Sequence, residues 1–174
     1  MVRLFTERVA GAWTAAWAVA PIAVYLLGFE LTGLWAALGA AQSGVPGEAF
    51  WLQATSGFTP EQARAAIMNV RLAGAEETAL TAYAVDAAFM LASFMAAGAL
   101  IGFGLRRLGL GGGPVALVLI APVIFLAADA VETALLAVAL VFDLESSDAL
   151  MKAAGLATTA KFPAFAASAV LASR

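Results

Sequence analysis

Of 174 residues, 63% are hydrophobic and 12% are charged, about half the charge of a typical soluble domain. A water-soluble monomer cannot hide so much apolar surface, and a disordered chain would not carry it. The net charge is −3 with no basic run, and Cys and His are absent. Nucleic-acid binding therefore has no electrostatic basis, and disulfides, thiolate or imidazole metal ligands and Ser-His chemistry are excluded. No cofactor is expected.

Four apolar segments follow one another along the chain: about Val9–Ala40, Ala79–Leu105, Pro114–Phe142 and Ala149–Ala172. Each supplies the roughly 20 apolar residues that cross hydrocarbon. Each is rich in Ala and Leu, so helix is the default, and no alternating strand pattern suggests a barrel. The expected fold is all-α: a polytopic membrane protein with four transmembrane helices, forming one domain over residues 1–174.

The first segment is long for one crossing, since about 32 residues measure about 48 Å as a helix. It contains Pro21, Gly28, Glu30 and Gly33, and a kink near Pro21 with tilt or extension beyond the bilayer is expected. Residues Ala16–Ala23 resemble a signal-peptide cleavage region, but the apolar run continues past them and reads as an uncleaved signal anchor. The loop Ala41–Glu77 is the one substantial connection. In it, Thr59, Pro60 and Gln62 form a helix start with a capping box, and Gly74 is a stop. A short amphipathic helix at about Pro60–Ala73 is expected to lie on the membrane surface, its approach anchored by Phe50, Trp51 and Phe58. A glycine-rich turn, Gly109–Gly113, and an acidic turn, Asp143–Asp148, then join the later spans as antiparallel neighbours.

With four spans, Arg3, Arg8, Arg106, Arg107 and Arg174 fall on one side. Glu48, Glu61, Glu76, Glu77, Asp143, Glu145 and Asp148 fall on the other, with Arg64, Arg71 and Lys152. The positive-inside rule places both termini in the cytoplasm, and the expected location is a bacterial inner membrane.

Asp86, Asp129, Glu132 and Lys161 interrupt the apolar spans, and Glu30 stands near the end of the first. An ionisable group at the bilayer centre costs about 2.5–3.5 kcal/mol on the insertion scale, so it faces the bundle interior and has a partner. At about 1.5 Å per residue, the four lie roughly 10–20 Å below the outer face. Asp129 and Glu132, three apart, share a helix face. Tyr83, Asp86, Met90 and Ser93 form one stripe, and Thr158, Lys161 and Ser168 another. The expected packing turns these stripes inward, so that Lys161 pairs with Asp129 or Glu132. The candidate ligand or ion site is Asp86, Asp129, Glu132 and Lys161, with Tyr83 and Thr158. No catalytic residue is assigned. The set reads in three ways: a polar clasp between helices, a cation or proton site, or a site for a polar ligand.

Other features read as packing. Pro21, Pro122 and Pro163 free the carbonyls of Trp17, Val118 and Thr159. The GxxxG at Gly98–Gly102 favours close packing within the chain over dimerisation. Trp13, Trp17, Tyr25 and Trp35 read as interface anchors, with a ligand pocket as the alternative.

The order Asp86, then Asp129-Ala-Val-Glu132-Thr133, then Lys161 resembles a pattern in uncharacterised bacterial four-helix membrane proteins, which carry D, DxxEN and K in their last three spans. The resemblance covers about the last 100 residues, and Thr133 stands where Asn is usual. It implies a four-helix membrane fold and no particular activity. Intramembrane aspartyl proteases are excluded, because their GxGD motif is absent and Leu126-Ala127-Ala128 precede Asp129.

Three functions remain: ion- or proton-coupled transport at the cluster, an accessory or assembly subunit of a larger inner-membrane complex, and intramembrane binding of a lipid or other amphiphile. The partners expected are the lipid bilayer and either a second copy or a larger membrane complex. An enzyme is the less favoured reading.

Overall fold

The computed structural model describes residues 2–52, 57–107 and 113–172, with side chains over 13–52, 57–105 and 120–167. The elements are α1 (Val2–Tyr25), a π-helical turn (Leu26–Glu30), α2 (Leu34–Ser43), α3 (Pro60–Leu72), α4 (Glu76–Arg107), α5 (Gly113–Val141) and α6 (Asp148–Ala172). Among the described residues the regular structure is all helical. Three stretches are long and apolar enough to cross a membrane: Trp13–Glu30, Glu76–Leu105 and Ile120–Val141. α6 has the length, at 25 residues, but Lys152, Thr158, Thr159 and Lys161 dilute its apolar character. The glycine-rich turn expected between the second and third segments falls mostly on residues 108–112, outside the described residues.

The first apolar segment is not one helix, and its interruption is not where proline suggested. α1 runs through Pro21 without a break. It ends by widening into the π turn, where the Leu31 amide donates to Leu26 O at 2.9 Å. Gly33 then takes a left-handed φ of +66°, which glycine adopts at no steric cost. Thr32 secures the break: its hydroxyl donates to Gly28 O at 2.6 Å and accepts from the Leu34 amide at 3.2 Å. α2 is therefore a separate short helix.

Residues 34–52 and 57–75 build a packed cap with the nearby ends of α4, α5 and α6. α3 starts on the expected capping box, with the Thr59 amide donating to Gln62 Oε1 at 2.9 Å and the Gln62 amide to Thr59 Oγ1 at 3.3 Å. It stops at Gly74, whose φ of +63° lets the Ala75 amide return to Val70 O at 2.9 Å. Its apolar face, however, does not serve as a membrane-surface face. Ala63, Ala66, Ile67 and Val70 are buried in a core with Leu38, Leu52, Tyr83, Leu136 and Met151. The expected interface anchors pack on the protein instead. Trp51 stacks on Trp35 at 5.9 Å and donates its indole N–H to Trp35 O at 2.9 Å. Phe58 is buried, its carbonyl lying where a side chain on Gly155 would stand. Phe50 packs against the core's edge. These segments are held in place by backbone partners: Leu52 donates to Gln42 Oε1 and Asn69 donates to Gln42 O, both at 2.9 Å.

α3 is also fastened by charge. Arg64 pairs with Asp148 and donates to Glu145 O at 3.2 Å. Arg71 pairs with Asp143, reaches Glu145 at 3.4 Å, and donates to Leu140 O at 2.6 Å. The acidic turn that receives them closes α5, with Asp143 at φ 55° and the Leu144 amide on Ala139 O at 3.0 Å. A left-handed Asp is one of the few non-glycine residues tolerated there.

Below the cap, α1 packs along α4, α4 along α5, and α5 along α6. The buried positions of α5 are Pro122, Phe125, Asp129, Glu132, Thr133, Leu136, Ala139 and Leu140. That is the three-and-four spacing of a single helix face. Met151, Ala154, Thr158, Lys161 and Ala164 repeat it on α6. The charged residues thus occupy core stripes, while Trp13, Leu27, Leu91, Val123 and Val131 are exposed. So wide an exposed apolar surface is compatible with a membrane protein and foreign to a soluble monomer. A Cβ added at either glycine of the GxxxG, Gly98 or Gly102, would meet open space. The close packing expected within the chain is therefore absent at these two glycines.

Candidate functional site

Lys161 comes off the buried stripe of α6 and points at the buried stripe of α5. Its Nζ lies 2.8 Å from Asp129 Oδ1 and 2.7 Å from Glu132 Oε2. The three side chains are 9%, 5% and 0% exposed, so the ammonium spans two acids one turn apart in a dry setting. The contact to Asp129 has hydrogen-bond geometry. The contact to Glu132 is close but not aligned as one, and Glu132 Oε1 accepts no hydrogen bond. A buried carboxylate oxygen without a donor is costly. Thr158 is fully buried beside Glu132, with its hydroxyl committed to Ala154 O at 3.0 Å.

Asp86 approaches from α4. It is half-buried and accepts a hydrogen bond from Thr133 Oγ1 at 3.2 Å. Thr133 therefore links the α4 carboxylate to α5, one position beyond Glu132. Tyr83 is placed differently from the expectation: it is buried in the cap core rather than in the cluster's cavity. Met90, from the same stripe, is buried as well. Ser168 lies outside the residues with described side chains. Glu30 is not brought to the cluster. It is exposed on the π turn and accepts from Tyr25 OH at 2.7 Å.

The cluster is not sealed in packed protein. Asp86, Asp129 and Lys161 line a cleft of about 240 Å³ whose remaining walls are Tyr25, Phe29, Trp35, Phe89, Phe125, Phe162 and Phe165. Trp35, expected to anchor in lipid, instead lines this cleft and packs edge-on against Phe29 at 5.1 Å. The π turn aims Phe29 inward, where it is 2% exposed. A second cleft of about 390 Å³ shares Tyr25, Phe89, Phe125 and Phe165 with the first. It continues along Pro21, Ile22, Leu26, Phe94, Leu100 and Pro122, with Ser93 from the expected α4 stripe on its wall.

These walls are layered. Phe89 follows Asp86 by three residues, Phe125 precedes Asp129 by four, and Phe165 follows Lys161 by four. α5 runs opposite to α4 and α6, so all three rings sit one turn from their charge on the side away from the cap. The order is cap, charged layer, aromatic layer, apolar cleft. Sequence reasoning missed the aromatic layer, although the spacing was present. What it lacked was the relative direction and rotation of the helices.

Comparison with protein-family models, with curated proteins and with solved structures finds no match. The site's chemistry must therefore be read from its own geometry.

Proposed function

We propose that this is a small integral membrane protein whose acid–lysine cluster binds a ligand from within the bilayer, with proton or cation exchange at the carboxylates coupled to binding or transport. The observation that carries the reading is the cleft. A clasp between helices needs only the contacts of Lys161 with Asp129 and Glu132, whereas Asp86, Asp129 and Lys161 also line an aromatic-walled space. Three acids to one ammonium also exceed what a clasp needs, and polar groups at this depth tend to mark pathways and sites.

In this reading α6 is the fourth span. α3 caps the outer face, both termini are cytoplasmic, and the membrane is a bacterial inner membrane, by the arginine distribution already described. Four spans are few for alternating access, so transport would use a second copy. The adjoining apolar cleft favours an amphiphile as the ligand over a bare ion.

Asp86→Asn tests the reading. It keeps shape and the Thr133 contact but removes the titratable charge. The melting temperature of the full chain in neutral-lipid nanodiscs is followed against pH and against Na⁺, Ca²⁺ and Mg²⁺. Wild type is expected to shift with pH or with one cation, and Asp86→Asn to lack that shift. Superimposable curves from the two proteins would leave the clasp as the better account.

A further inference from the structure

Charge and lining together specify the ligand further, given the binding site proposed above. We propose that the cleft receives an amphiphile with an organic-cation head, seated between Asp86 and Asp129 inside the aromatic layer, with its tail in the adjoining apolar cleft.

Lys161 spends its ammonium on Asp129 and Glu132, while Asp86 faces the same cleft with a neutral hydroxyl as its partner. Glu132, fully buried behind Lys161, keeps one oxygen without a donor. Three acids share one ammonium, so an anionic head would meet repulsion from an ionised Asp86 and a cationic head attraction.

A hard metal ion takes six or more oxygens at short range, and among the described residues no group of three acids is arranged to hold one. The cleft offers ring faces instead. Aromatic faces attract weakly hydrated organic cations, quaternary ammonium above all. Lys161 already shows this contact, its Nζ standing 5.6 Å from the Phe162 ring centroid.

The charged cleft is about 240 Å³ and the apolar one about 390 Å³, together within the range of small-molecule sites. The two adjoin, with four wall residues in common, and the head end and tail end differ in polarity as an amphiphile's do.

The test uses the full chain in neutral-lipid nanodiscs and isothermal titration, with empty nanodiscs subtracted for partitioning. The probes are decyltrimethylammonium, decanol and decyl sulfate, which share a tail and differ in head charge. Decyltrimethylammonium is expected to bind saturably and about tenfold more tightly than decanol, with decyl sulfate the weakest. Asp86→Asn should abolish that preference and Asp86→Glu should keep it. Phe89→Leu, which keeps bulk without a ring, should lower it by about threefold. Equal affinities for the cationic and neutral probes overturn the proposal, as does an Asp86→Asn protein that keeps the preference. If that happens while the pH- or cation-dependent melting shift of wild type persists, the ligand class is wrong and the binding site stands. If the melting shift is also absent, the site falls with it.

Discussion

The molecule holds two ionic clusters on the same pair of helices, and they differ in solvent. At the cap, Arg64 and Arg71 of α3 grip the turn between α5 and α6, where Asp148 and Asp143 are 79% and 73% exposed. One helical stretch away, Lys161 holds Asp129 and Glu132 with almost no exposure. The first cluster is balanced by water, and its pairs form wherever long side chains reach. The second has no such reservoir, so every charge must be matched inside. It is not fully matched: one Glu132 oxygen has no donor, and Asp86 accepts its hydrogen bond from the neutral hydroxyl of Thr133. An exposed cluster tolerates a surplus silently, while a buried one makes it a site for something else.

That contrast can be broken at either end, and the largest effect is expected at Lys161. Lys161→Met leaves two buried acids without their cation, and a pair broken this way costs about 3–5 kcal/mol. Chemical unfolding in detergent measures it. Adding Asp129→Leu and Glu132→Met should recover most of the loss, since well-packed apolar groups of similar volume often replace a buried ion pair at little cost. A single Lys161→Met variant as stable as wild type would show that the cluster is not desolvated.

Arg71→Ala sharpens the comparison from the exposed side. Its pairs to Asp143 and Glu145 are partly solvated, and its donation to Leu140 O is one further bond. The expected loss is about 1–2 kcal/mol. The ion-pair share should shrink as salt rises, whereas the Lys161→Met loss should hardly change. Equal salt sensitivity in the two variants would erase the distinction.

The smallest effects lie at the start of α3. Thr59→Ala removes the cap and should cost about 1 kcal/mol. Glu61, in the first turn, is fully exposed. Its own backbone N–H and the Thr59 hydroxyl hold its carboxyl below the usual carboxylate range, aided by Arg64. A depressed folded value contributes stability that is present above the unfolded value and lost as pH falls through the folded one. The stability gap between wild type and Glu61→Gln should therefore be small at neutral pH and vanish in acid. A gap that grows on acidification would contradict the assignment.

Much of this was legible along the chain. The helices of the second, third and fourth segments follow from continuous Ala- and Leu-rich runs, which need no partner to be recognised. The start and stop of α3 are local chemistry: a hydroxyl, a proline and a glutamine within four residues, and a glycine that can turn left-handed. That Lys161 pairs with Asp129 or Glu132 could be read because few cations lie inside apolar segments; that it reaches both is seen only in the packed helices.

What the chain alone could not decide depends on rotation and proximity. α2 separates from α1 because Gly33 takes a left-handed turn secured by Thr32, and a glycine by itself does not say which conformation it will adopt. The burial of α3's apolar face, and of Phe58 and Trp51 with it, needed the cap to exist. An amphipathic pattern records that a face is apolar, not whether lipid or protein covers it. Thr133 gained its contact with Asp86 only when α4 and α5 were set side by side. The aromatic layer formed only when three helices of alternating direction brought Phe89, Phe125 and Phe165 to one level. Composition and local spacing determined the helices and the presence of charge within them, because those depend on near neighbours. The tertiary structure alone decided that the charges border a cleft, because a cavity is a property of how surfaces fail to meet.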